Sequence, residues 1–161
     1  MQVYYWIGLN LILLGTMFAF IPFNQIRQLF LYGLFGGTVL SLFIFYLAHI
    51  LKLWKIIGGI NLFQFPILPA IAWFFPTVGF GHFYPKDADL LYRIGFISLF
   101  ATFSVVFNYI FVKLGMWKSI QWNYFYTFLL ASVAHIFLSF LIVHFDRYIE
   151  RLKILMGTDW R

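Results

Sequence analysis

Residues Ser119–Phe145 read SIQWNYFYTFLLASVAHIFLSFLIVHF, 27 in a row without an Asp, Glu, Lys or Arg. A helix rises 1.5 Å per residue, so about 20 apolar residues cross a hydrocarbon core roughly 30 Å thick. The stretch is long enough for one membrane crossing and too short for two. The pattern recurs upstream: Met1–Ile26, Gln28–Leu51, Ile56–Pro85 and Ile94–Val112 are equally free of these residue types, over 26, 24, 30 and 19 residues. Continuous apolarity without period-two alternation favours helices over barrel strands. The expected fold is an all-α polytopic membrane bundle of five transmembrane helices, at about 3–23, 29–51, 63–83, 91–112 and 124–145. A basic amphipathic extension, 146–161, follows.

The rest of the chain agrees. Hydrophobic residues make up 63% of its 161 positions and charged ones 10%, against about 45–50% and about 25% in ordinary soluble domains. Eleven basic and five acidic side chains could not cover the wet surface of so small a globule. A cytosolic enzyme, a nucleic-acid-binding domain, a disordered chain and a disulfide scaffold are all disfavoured. The net charge of +6 reads as cationic loops beside anionic lipid headgroups, with no nucleic acid partner. The lack of cysteine excludes disulfides, thiol catalysis and thiolate metal sites.

Basic residues set the expected orientation. With the N-terminus outside, the inner connections and tail hold seven: Arg27, Lys86, Arg93, Arg147, Arg151, Lys153 and Arg161. The outer connections hold four, Lys52, Lys55, Lys113 and Lys118. The expectation is a multi-pass plasma-membrane protein with its C-terminus in the cytoplasm. The first window has no Lys or Arg ahead of it and no A-x-A site after it, so it is expected to be a retained helix and not a cleaved signal.

Helix faces supply the candidate residues. Gly33, Gly37 and Ser41, with Gly36 beside them, form a small-residue ladder suited to close approach of another helix, in the same chain or a second copy. The third segment carries Pro66, Pro69 and Pro76, with Gly79 and Gly81, and Pro85 closes it. A kink near Pro76 is expected; such a helix either packs among neighbours or lines a substrate site. On the fourth, Ser98, Ala101, Thr102, Ser104 and Asn108 share one half of the wheel. Phe96, Leu99, Phe100, Phe103, Phe107, Ile110 and Phe111 share the other, which is expected to meet lipid. On the fifth, Thr127, Ala131, Ser132, Ala134, His135 and Ser139 lie together.

His135 falls near mid-membrane, where an ionisable side chain is a functional candidate. The structural alternative is a neutral ring bonded to Asn108, Asn10 or a backbone carbonyl. The candidate intramembrane polar residues are therefore Asn10, Asn108, Thr127, His135 and Ser139.

Catalytic patterns are missing. His49, His82, His135 and His144 are dispersed, and there is no H-E-x-x-H, no G-x-S-x-G and no Walker loop. No cofactor or metal is implied, and no mid-helix charge couples an ion gradient. The compact polar cluster is His82, Lys86, Asp87, Asp89 and Arg93, readable as a metal or phosphate-headgroup site or as a solvated loop with capping Asp residues. Tyr4, Tyr5, Trp6, Trp54, Tyr84, Trp117, Trp122, Tyr124 and Tyr126 are expected to form interfacial belts. The tail places Tyr148, Ile149, Leu152, Leu155 and Met156 on one stripe, as a surface-lying amphipathic segment or an extension of the last helix.

From about Pro66 onward, the stretches FYPK (Phe83–Lys86), NYIFVKLGMW (Asn108–Trp117) and WNYFYTFLLA (Trp122–Ala131) resemble a family of small uncharacterised multi-pass membrane proteins of spore-forming Gram-positive bacteria. The resemblance implies a membrane location and a bacterial source, and no assigned activity. The family pattern has an acidic residue at the position of Asn108 and usually a serine at that of Thr127, and this chain departs from it at both.

Three functions compete. One is a non-enzymatic structural or partner-associated subunit, with the lipid bilayer, a second copy or a membrane protein as partner. The others are a permeation component with a polar path past Asn108 and His135, and a lipid-modifying enzyme using the His82–Arg93 loop.

Overall fold

The computed structural model describes residues 2–62 and 65–156, with side chains at 2–60 and 65–145. Its helices are α1 (Gln2–Phe20), a rod made of α2 (Phe23–Tyr32), a π-helical turn (Gly33–Val39) and α3 (Leu40–Ile50), then α4 (Ile67–Phe83), α5 (Leu90–Lys113) and α6 (Tyr124–Met156). Four are long and apolar enough to cross a membrane: α1, the rod Phe23–Ile50, α5 and the Tyr124–Phe145 part of α6. The fold is all-α, and the short strands are confined to connections. At 17 residues, α4 is about 26 Å long, near the lower limit for a crossing. The exterior of the bundle is apolar: Leu11, Ile12, Phe43, Leu91, Phe125 and Val133 are each more than half exposed.

Helix starts follow local chemistry more than charge. The rod opens at Phe23, ahead of Arg27, because Pro22 holds an extended ψ of 141° and ends one helix while starting the next. A charge bounds an apolar window but does not stop a helix. α4 opens at Ile67 because Phe65–Pro66 (β3) pairs with Asn61–Leu62 (β2) as a hairpin; the expected start at Phe63 lies outside the described residues. The Asp89 carboxylate accepts the Tyr92 amide at 2.8 Å and caps α5. Asn123 does the same for α6 through the Tyr126 amide, at 2.9 Å.

α3 and α5 end alike. The Leu53 and Lys52 amides donate to the carbonyls of Ala48 and His49, at 2.9 and 3.2 Å, and those of Met116 and Gly115 to Phe111 and Val112, at 2.9 and 3.1 Å. These are Schellman caps, with Lys52 (φ 52°) and Gly115 (φ 68°) in the left-handed region. Each cap runs straight into a Trp-Lys strand, Trp54–Ile56 (β1) and Trp117–Ser119 (β4). The strands pair antiparallel, with Trp54 opposite Ser119, Lys55 opposite Lys118 and Ile56 opposite Trp117. Helix, left-handed cap and strand thus occur twice, as α3–β1 and α5–β4; the β2–β3 pair intervenes before α4, whereas β4 is followed by α6. The ribbon brings both connections to one end of the bundle. The start of α1 is there too, with the Trp6 indole donating to the Ile57 carbonyl at 3.0 Å.

The small-residue ladder meets α4 within the chain. A Cβ on Gly37 would lie 2.7 Å from the Trp73 carbonyl oxygen and 3.0 Å from Phe74 Cα; one on Gly33 would meet Val78 at 2.5 Å. α4 also packs on α1 and α6, burying Ala70, Ala72, Thr77, Val78, Phe80 and Gly81. It continues through Pro76. At the end away from the ribbon, Met17, Ile21, Ile26, Leu29, Tyr32, Val78, Phe80, Tyr84, Leu138 and Ile142 form a filled core. The helix of the tail runs to Met156; its expected apolar stripe lies outside the described side chains.

Candidate functional site

Between α1, the rod and α4 on one side and the α5–α6 hairpin on the other lies a cavity of about 440 Å³. It reaches from the ribbon to mid-bundle. Trp6, Trp54, Trp117 and Trp122 ring the ribbon end; Phe100, Phe103, Phe107 and Phe111 line one wall, and Gly36, Gly37 and Ser41 the facing one. None of the lining residues is Asp, Glu, Lys or Arg.

Asn108, Thr127 and His135 all reach this space. Asn108 is 4% exposed, and neither its Nδ2 nor its Oδ1 has a hydrogen-bond partner. The Thr127 hydroxyl donates to the Asn123 carbonyl at 3.2 Å and accepts the Trp122 indole N–H at 2.9 Å. His135, 5% exposed, donates from Nδ1 to the Ala131 carbonyl at 2.7 Å. Its ring lies beside Phe80 and Phe100, centroids 5.0 and 5.7 Å away. Of its three expected partners, the backbone carbonyl is the one it uses.

Asn10 and Ser139 are not on the cavity wall. The Asn10 amide donates to the carbonyls of Trp6 and Leu68, at 2.8 and 3.1 Å, tying α1 to the first turn of α4. Ser139 donates to the Ile136 carbonyl at 2.7 Å. Thr102, Ser104 and Ser132 likewise donate to carbonyls four residues earlier in their own helices. Hydroxyls satisfied in this way form no polar file between helices.

Two expectations need correction. The phenylalanine side of α5 does not simply face lipid: Phe103 and Phe107 line the cavity, and Phe96 and Phe100 pack on Phe80 at 5.5 and 5.1 Å. Lipid is as apolar as Phe, so polarity does not sort this face. Trp6, Trp54 and Tyr84 are also buried, at 2%, 6% and 7% exposure, instead of sitting in a belt. Trp54 stacks on Trp117 at 5.1 Å and meets Trp122 edge-on at 4.5 Å. No one-dimensional signal separates such a plug from a belt, since both put Trp at helix ends.

In the loop cluster, His82 and Lys86 lie close enough to interact, without a metal site forming among the described residues. Asp89 is spent on the α5 cap, Lys86 and Asp87 are exposed, and His82 packs edge-on against Phe83 at 4.4 Å. Arg93 is partly buried, with its Nε unpaired. Among the described residues no three His, Asp or Glu side chains stand close enough to hold a metal ion.

The cavity can hold an apolar molecule by contact and orient it through the Asn108 amide and the unpaired Trp117 indole N–H. It offers no carboxylate and no nucleophile with an adjacent base. Comparison of the chain with protein-family models, curated proteins and solved structures returned no match.

Proposed function

We propose that this is a five-crossing, non-enzymatic plasma-membrane protein that holds an apolar molecule in the cavity between its two helical hairpins. The N-terminus is outside, and α4 is the short third crossing. The supporting observation is the cavity itself, a space of about 440 Å³ within the roughly 300–1,000 Å³ range of small-molecule sites. Its wall is almost wholly carbon. The antiparallel course of successive helices supports the crossing number, and the excess of seven Lys and Arg in the opposite connections and tail over the four lysines near the ribbon end supports the orientation.

Native mass spectrometry of the detergent-purified chain is expected to detect a bound lipid-like species. Ala134→Trp, which fills the cavity from its lining, is expected to lose it. Equal ligand occupancy in the filled variant would refute the reading. The chain lacks cysteine, so single cysteines report topology cleanly: Ser119→Cys should be labelled from outside and Gly157→Cys from inside.

The competing permeation reading requires water beside Asn108 and His135. Cysteines at these two positions are expected to resist small aqueous thiol reagents; rapid labelling of both would favour a conduit.

A further inference from the structure

We infer that the occupant of this cavity is a single-chain amphiphile with a neutral head that both gives and takes a hydrogen bond, a protonated long-chain acid or a primary amide, paired with Asn108. The inference rests on the cavity reading above. Its observation is separate: Asn108 is 4% exposed, lines the cavity, and has neither its N–H₂ nor its C=O engaged.

Buried amides with both functions idle are rare, because each idle group has given up its bonds to water. A water molecule would need two to four polar partners; the lining is mostly carbon, and its Ser41, Ser104 and Thr127 hydroxyls already donate to the carbonyls of Thr38, Phe100 and Asn123. The edge of a carboxamide carries a donor and an acceptor side by side. A –COOH or –CONH₂ head presents the complementary pair and closes two parallel bonds at once.

A charged head does not fit. None of the lining residues is Lys or Arg, and the one titratable side chain among them, His135, is bonded through Nδ1 to the Ala131 carbonyl; burying an uncompensated carboxylate or phosphate in such a wall is prohibitive. The wall holds one more idle donor, the buried Trp117 Nε1. The indoles of Trp6 and Trp122 are already committed to Ile57 and Thr127. The free groups are thus rich in donors, which suits a carbonyl with two lone pairs. A single chain matches a volume at the lower end of the small-molecule range.

Four probes test this on the delipidated, detergent-purified chain: hexadecanoic acid, hexadecanamide, methyl hexadecanoate and hexadecane. Quenching of the cavity tryptophans reads binding. The acid (at low pH) and the amide are expected to bind about tenfold more tightly than the ester, which cannot donate, the factor that about 1.4 kcal/mol represents. Raising the pH should weaken the acid and leave the amide unchanged, and His135→Gln, which removes the titratable ring from the lining, should show the same pattern. In Asn108→Leu the preference should collapse to near unity with hexadecane still bound.

Equal binding of amide and ester by the native chain overturns the head-group assignment and leaves the cavity standing. Undiminished affinity for the ionised acid overturns its neutrality. Should none of the four probes bind, the cavity reading falls as well. The probe series on the native chain decides the matter even where Asn108→Leu fails to fold.

Discussion

The two ends of the bundle draw on the same residues, Phe, Trp, Leu and Gly, yet one is filled and the other hollow. Away from the ribbon, Phe80 and Val78 are fully buried, and Tyr84, Phe96 and Phe100 close around the Phe80 ring at 5.1–5.5 Å. There the Tyr32 hydroxyl donates to the Leu138 carbonyl at 3.1 Å, joining the rod directly to α6. Near the ribbon, the two hairpins are joined through a strand pair and stacked indoles, which act as a spacer between helices. Composition does not decide whether a membrane bundle is solid. The kind of contact that joins its halves does.

The largest way to break this contrast is at the seam. Gly37→Leu must displace backbone at Trp73 and Phe74, so a loss of about 3 kcal/mol or more is expected, seen as aggregation in detergent. Gly15→Leu, with open space around its Cβ, should be near neutral. Equal behaviour of the two would sink the seam.

Next comes direct comparison of the ends. Phe80→Ala should cost about 3–5 kcal/mol, as truncation of a packed aromatic does. Phe103→Ala, on a wall that already faces empty space, should cost about 1 kcal/mol or less. Matching melting temperatures for these variants would mean that both ends are packed alike.

A smaller effect separates the polar groups. Asn108→Leu is expected to raise the stability of the ligand-free chain by about 1 kcal/mol by removing unpaired buried groups, whereas Tyr32→Phe should lower it by about 1 kcal/mol. A marked loss in denaturant titrations of Asn108→Leu would make the amide structural.

The smallest concerns the paired caps. Lys52 holds the left-handed position that Gly115 fills without strain. Lys52→Gly should therefore gain about 0.5–1 kcal/mol and Gly115→Lys lose a similar amount. A destabilised Lys52→Gly would show that the lysine side chain outweighs its backbone strain.

Much of this architecture was legible because charge cannot sit in mid-membrane. The gaps between charged residues reveal the four long helices without fixing their ends, and the glycine ladder marks the seam with α4. Helix starts depended on Pro22, Pro66, Asp89 and Asn123, which act locally and do not follow charge. The site was only partly legible. The placement of Asn108, Thr127 and His135 on inward faces followed from their polarity. That His135 is bonded to its own helix while Asn108 is left idle depends on distances between helices, which periodicity does not encode. The indole plug and the inward phenylalanines were hidden for a related reason: an apolar side chain gains little by choosing protein over lipid.

The β1–β4 ribbon also has a consequence for how the chain is made. Trp54–Ile56 leaves the ribosome long before Trp117–Ser119, so the first hairpin enters the bilayer with an open strand edge and an indole lacking its stacking mate. The lid over the cavity is therefore a late event, completed only when the last connection has been synthesised. A chain that ended before Trp117 would leave β1 without its β4 partner, so the ribbon closes only once the last connection exists.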